Sequence, residues 1–137
     1  MRAVQFSEFG RPEVLEIADL PEPHPEAGQI RVAVRAAGVN PIDWKVRSGA
    51  MGGELPRQVG QEAAGVVDEL GDGVSDVAVG DEVFGLPAAG GAAAEYVVLG
   101  AYAGKPQSLD FAHAAALPVA VETAWRCLDL TARDLKN

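Results

Sequence analysis

The sequence has one cysteine, Cys127, in 137 residues. One thiol builds neither a disulfide framework nor a cysteine zinc site, so a reducing, cytoplasmic setting is the expectation. Histidine is almost as scarce. His24 and His113 have no ligand-spaced partner, whereas a zinc site needs three or four converging His, Cys or carboxylate groups. His24 reads as solvated, His113 as partly packed and Cys127 as a buried, inert thiol. Basic residues are few: 11 Lys and Arg against 20 Asp and Glu leave a net charge of −9, which would repel a phosphate backbone and argues against nucleic-acid binding. No run of 18 apolar residues is present, so no membrane span is expected. The opening "MRAVQFSEFG" has no apolar stretch behind Arg2, which predicts no secretory signal. A phosphate cradle is missing too. Gly71-Asp72-Gly73 begins like a dinucleotide loop, but Asp76 stands where the third glycine is needed and a strand follows, so a hairpin turn is the reading.

What is present is a chain of short strands. Alternation or apolar runs predict strands at 1–6, 14–20, 29–39, 63–70, 82–86 and 94–99. The 16 glycines and 9 prolines are spread between them, the pattern of a small β-barrel or sandwich. Pro21, Pro23 and Pro25 mark an extended surface connection. From Ser108 the character changes to alanine- and leucine-rich. Ser108 or Asp110 is a candidate N-cap for a short helix over 111–116, and Pro118 suits the first turn of a second helix to about Leu130. Val121, Ala124, Trp125 and Leu128 give that helix one apolar face. The fold class is therefore mainly β with C-terminal α-helices, in one unit spanning 1–137.

Two places stand out chemically. "AAGVNPIDWKVRSG" leaves the best-patterned strand and gathers Asn40, Asp43, Trp44, Lys45 and Arg47, either as a packed loop or as one that lines a ligand. Glu62, before an apolar strand, is expected to be buried. It then either pairs with a cation or is perturbed for chemistry.

With "GQEAAGVVDELGDGV", "VGDEVFG", "AAAEYVVL" and "AALPVAVETAWRCL", that stretch closely resembles the N-terminal region of medium-chain dehydrogenases/reductases, most of all the zinc-independent quinone oxidoreductase branch. The resemblance covers essentially the whole chain. It implies a GroES-like β-barrel lacking the Rossmann domain, with residues 108–137 as the helical connection towards that domain. It further implies reduction of quinones or α,β-unsaturated carbonyls by hydride from NADPH, with the Rossmann domain supplied in cis or in trans. Zinc-dependent members carry cysteine at the place of Asn40 and histidine at that of Gln61; neither amide is a good zinc ligand. Asn40, Asp43, Trp44 and Lys45 are implied as the catalytic set, and Asn40 and Thr123 as the cofactor-facing groups. Asp43 fixes the Asn40 loop, Trp44 and Lys45 flank the substrate, and no metal is implied. Many relatives place a tyrosine near here, and Lys45 instead argues against a tyrosine-type proton donor. For Thr123 the alternative is a helix residue bonding back to a carbonyl. A homo-oligomer is expected, because the apolar helix face needs a partner. The competing function is a non-catalytic GroES-like binding or assembly module.

Overall fold

The computed structural model describes residues 1–134, with side chains through Thr131. Among the described residues seven strands come before and around a short helix, and two further helices follow them. The elements are β1 (Arg2–Phe6), β2 (Glu16–Asp19), β3 (Ile30–Ala37), α1 (Pro41–Arg47), β4 (Arg57–Gln58), β5 (Ala63–Leu70), β6 (Glu82–Pro87), β7 (Tyr96–Gly104), α2 (Phe111–Ala115) and α3 (Pro118–Asp134). Strands β3, β5, β6 and β7 close into an antiparallel barrel, and β2, β1 and β4 form a separate three-stranded sheet. An isolated bridge between Ala3 and Ala94 joins the two.

The barrel follows from alternation. Ile30 and Val32 point inward and are fully buried with Val67, Val83, Val97 and Leu99. Arg31, between them, lies on the other face. Its guanidinium bridges Asp68 at 2.9 Å and Glu69 at 2.8 Å, on the neighbouring β5, and sits 5.2 Å from the Tyr96 ring centroid. Closing the sheet leaves no free edge, the usual hazard of short strands.

Sequence patterning places the elements well and their ends less well. β7 runs to Gly104, five residues past the expected end, because β6 pairs with that extension from Val83↔Gly104 to Leu86↔Ala101. The two-residue β4 has no periodic signal and exists through its pairing with β1. Around Gly71–Gly73 the turn reading holds: β5 and β6 pair antiparallel and Gly73 has φ +80°.

The helices close one flank of the barrel. Asp110 is the N-cap of α2, accepting from the His113 N–H at 2.8 Å, while Ala114 and Ala115 pack against Ala64. His113 is exposed rather than partly packed, because its ring turns back to Asp110 at 2.8 Å. Cys127 is also exposed, which corrects the expectation of a buried thiol: α3 touches the barrel near its start and runs outward, so among the described residues nothing covers its later turns. No helix among the described residues is long and apolar enough to cross a membrane.

Candidate functional site

The exit of β3 forms a helix, not the loop expected from the sequence. Asn40 is extended (φ −124°, ψ 159°) and caps α1, with Pro41 at the first helical position and Asp43 at the third. One Asp43 oxygen accepts from the Asn40 N–H at 2.7 Å, the carboxylate arm of a capping box. The other accepts from the Gly60 N–H at 3.0 Å and ties α1 to the segment before β5. Gly60 has φ +100°, and a Cβ there would lie 2.6 Å from the Ala93 nitrogen, so only glycine presents its N–H in this way. Asp43, expected to fix the Asn40 loop, thus bonds to the backbone N–H groups of Asn40 and Gly60. Lys45 and Arg47 occupy the last turn, where the helix dipole favours cations.

Behind Asn40 lies Glu62, which is 2% exposed. Its Oε1 accepts from Asn40 Nδ2 at 2.6 Å and its Oε2 from the Val119 N–H at 2.8 Å. The expected cation is replaced by a side-chain amide and the N-terminus of α3. A helix start offers unpaired N–H donors and a partial positive charge, so it can hold a carboxylate without Lys or Arg. Val119, whose backbone N–H holds Glu62, is the partner not anticipated in the sequence. The signal was Pro118, which marks a helix start and therefore donors in need of an acceptor.

Trp44 is half exposed at 51%, and the Lys45 ammonium stands 5.8 Å from its ring centroid. α1 is anchored instead by buried Val46. The packed-loop alternative therefore fails for Trp44, which faces outward. Thr123 is exposed one helical turn beyond Val119. The back-bond to a carbonyl considered for Thr123 is made by Thr131 instead, to Cys127 at 2.9 Å. Asn40, Asp43 and Glu62 are thus brought into one hydrogen-bonded cluster. Trp44 and Lys45 share its helix, and Thr123 joins through α3 alone.

Gln61 points elsewhere. It lines a cavity of about 630 Å³ with Gln5, Gln58, Arg57, Gly90 and Tyr96, and none of Asn40, Asp43, Trp44, Lys45 or Thr123 takes part. Among the described residues no three His, Cys, Asp or Glu side chains are placed to hold a metal ion. A separate groove of about 360 Å³, almost wholly apolar, lies between the barrel and α3, lined by Phe84, Leu86, Tyr102, Leu117, Val121 and Trp125.

Comparison with known proteins agrees with this architecture. The family model for the alcohol dehydrogenase GroES-like domain matches residues 26–106. A quinone oxidoreductase of Rattus norvegicus is 38% identical over 97% of this chain and 42% of its own length. An NADPH-dependent alkenal/one oxidoreductase, chloroplastic, of Arabidopsis thaliana is 37% identical over 90% of this chain and 36% of its own. The solved structure of the quinone oxidoreductase from Coxiella burnetii superposes with a TM-score of 0.87 at 37% identity, over 95% of this chain and 44% of that one. This chain spans about two fifths of the length of these relatives. With the matched model covering most of the barrel, the chain belongs to the medium-chain dehydrogenase/reductase superfamily, as an N-terminal GroES-like domain of the quinone oxidoreductase type.

Proposed function

We propose that this chain is the substrate-side domain of an NADPH-dependent oxidoreductase that reduces quinones or α,β-unsaturated carbonyls. On this reading residues 108–137 are the connection to a nucleotide-binding Rossmann domain, in cis or in trans. The observation that carries it is the Asn40–Asp43–Glu62 cluster: an asparagine whose side-chain amide donates to Glu62 and whose backbone N–H donates to Asp43, at the start of a helix that also presents Trp44 and Lys45.

The residues fit the nicotinamide end of the coenzyme. Asn40 donates through Nδ2 to Glu62, so its Oδ1 is turned away as an acceptor, and the exposed Thr123 hydroxyl offers a second neutral contact. The bound coenzyme supplies a hydride. This chain orients the acceptor and excludes water. The outward Trp44 ring is a flat apolar surface for a planar acceptor. Lys45, above that ring, supplies a cation near oxygen that gains negative charge, in place of a tyrosine hydroxyl. Asn40 and Gln61 are amides, poor donors to zinc, and they belong to different surroundings, which supports a reaction without a metal.

The test combines this domain with the nucleotide-binding half of a quinone oxidoreductase and follows NADPH oxidation by a benzoquinone. The combined protein should turn over, the 137-residue chain alone should not, and Asn40→Ala should lower kcat/KM by at least about tenfold. Turnover by the chain alone, or dependence on stoichiometric zinc, overturns the reading.

The second reading, a non-catalytic binding or assembly module, is favoured by the apolar groove beside Val121 and Trp125. A combined protein that binds NADPH yet reduces neither quinone nor enone would favour it. Both readings expect the isolated domain to self-associate through α3.

A further inference from the structure

Glu62 touches neither coenzyme nor acceptor in the scheme above, yet it is the most deeply buried charged group among the described residues. Its two oxygens hold partners far apart in the chain: Asn40, 22 residues before it, and Val119, 57 residues after it. Both oxygens belong to one rigid planar group. The place of the Asn40 amide is therefore set relative to the first turn of α3. A carboxylate only accepts, so it also decides which way the Asn40 amide faces, with Nδ2 towards Glu62 and Oδ1 away. The backbone at this point is held separately, by the Gly38 N–H donating to the Glu62 carbonyl at 3.1 Å, so the side-chain bonds do not carry the strand exit. The chain also makes room for the carboxylate: a Cβ on Gly38 would fall 2.1 Å from Oε1.

We infer that Glu62 is a positioning residue that couples the seat of α3 to the orientation of the Asn40 amide. A shift of the first turn of α3 moves the Val119 N–H, draws the carboxylate with it and turns Asn40. The next turns of the same helix carry Thr123 and the groove residues Val121 and Trp125, so contact made on that outer face is transmitted to the amide. The meaning of this for catalysis rests on Asn40 facing the coenzyme. The coupling is a property of this chain and is measured without any coenzyme.

The experiment is amide NMR on the 137-residue protein, reading the Val119 N–H and the Asn40 side-chain NH₂. Glu62→Gln should speed hydrogen exchange at both by roughly tenfold or more, the loss expected of charge-assisted bonds, while the barrel amides of Val32 and Leu99 stay protected. Asn40→Ala should move the Val119 signal, and should cease to do so in the Glu62→Gln background. That second readout separates a relay from simple structural support. A Val119 signal that ignores Asn40→Ala, or that responds equally in both backgrounds, overturns the inference. Should Glu62→Gln fail to fold, Gly38→Ala takes its place, since it crowds the carboxylate without removing it. Both signals should then move together, and movement of one alone overturns the coupling. A combined enzyme without activity would sink the functional reading and leave this spectral result standing.

Discussion

The inside of the β3–β5–β6–β7 barrel and the outer face of α3 are made of similar apolar side chains in opposite surroundings. Val32 and Leu99 are fully buried, whereas Val121 is 59% exposed and Trp125 75%. In the barrel, alternation along each strand and closure of the sheet decide what covers each residue, and the cover is local to this domain. Along α3 the helical spacing marks one apolar face just as clearly, but the described residues provide a wall only near the start, at Phe84, Leu86 and Tyr102. Apolar patterning thus identifies a face that wants covering. It does not identify the cover. Between the two regions lies the polar seam of Asn40, Glu62 and Val119, the one place among the described residues where barrel and helix are joined by hydrogen bonds to a buried charge.

The largest effect that tests this contrast belongs in the barrel. Leu99→Ala should cost about 2–5 kcal/mol in chemical denaturation, since it removes buried methyl groups and leaves a cavity among Ile30, Val67 and Val97. A loss below about 1 kcal/mol would mean that the barrel relaxes around the gap, and the contrast with α3 would narrow. At the seam, Gly38→Ala should cost about 1–3 kcal/mol, the range for overpacking a filled site, because the new methyl competes with the Glu62 carboxylate for the same space. Neutral behaviour there would show that Glu62 has an alternative position.

How far these regions could be read in advance follows the same division. The barrel strands announce themselves because alternation is a local signal and each inward residue meets another from the same set of strands. α1 was also written in the sequence, as Asn40, Pro41 and Asp43 in cap, first and third positions, but the helix is two turns long, too short for apolar periodicity to mark. Glu62 was legible as buried. Its partners were not, because a carboxylate offers no clue whether its counterpart is a side-chain cation or a helix start 57 residues away. The exposure of Cys127 and His113 depends on what lies beside each residue in space, which spacing within a helix does not report.

A smaller effect concerns acid. Asp110 is held below the usual carboxylate range, chiefly by the backbone N–H of His113 and then by the His113 ring. A carboxylate depressed in the folded state lends stability above its unfolded pKa and loses it as the pH falls through the folded value. Acidification below about pH 4 should therefore loosen α2. Backbone amide exchange at Ala114 as a function of pH checks this, and Asp110→Ala should remove that part of the acid dependence. Unchanged acid sensitivity in the variant would assign the loosening to another group.

The smallest stability effect is expected where the side chain is largest. Trp125→Ala deletes an indole that would cost several kcal/mol in a core, yet at 75% exposure it should change the stability of the isolated monomer by no more than about 0.5 kcal/mol. The same substitution should act strongly on a different quantity. Val121 and Trp125 border the apolar groove, with Leu128 a further turn along at 69% exposure, and an exposed surface of this kind favours association. Sedimentation at increasing protein concentration should show self-association of the parent chain, weakened by Trp125→Ala and more so by Trp125→Glu, which places charge on the same surface. A parent chain that stays monomeric throughout would deprive α3 of its role as an interface in this form. A large stability loss from Trp125→Ala in the monomer would show that the helix folds back onto its own barrel in solution. Either result would redraw the boundary between the covered and the uncovered apolar surface, the boundary on which the contrast between barrel and helix depends.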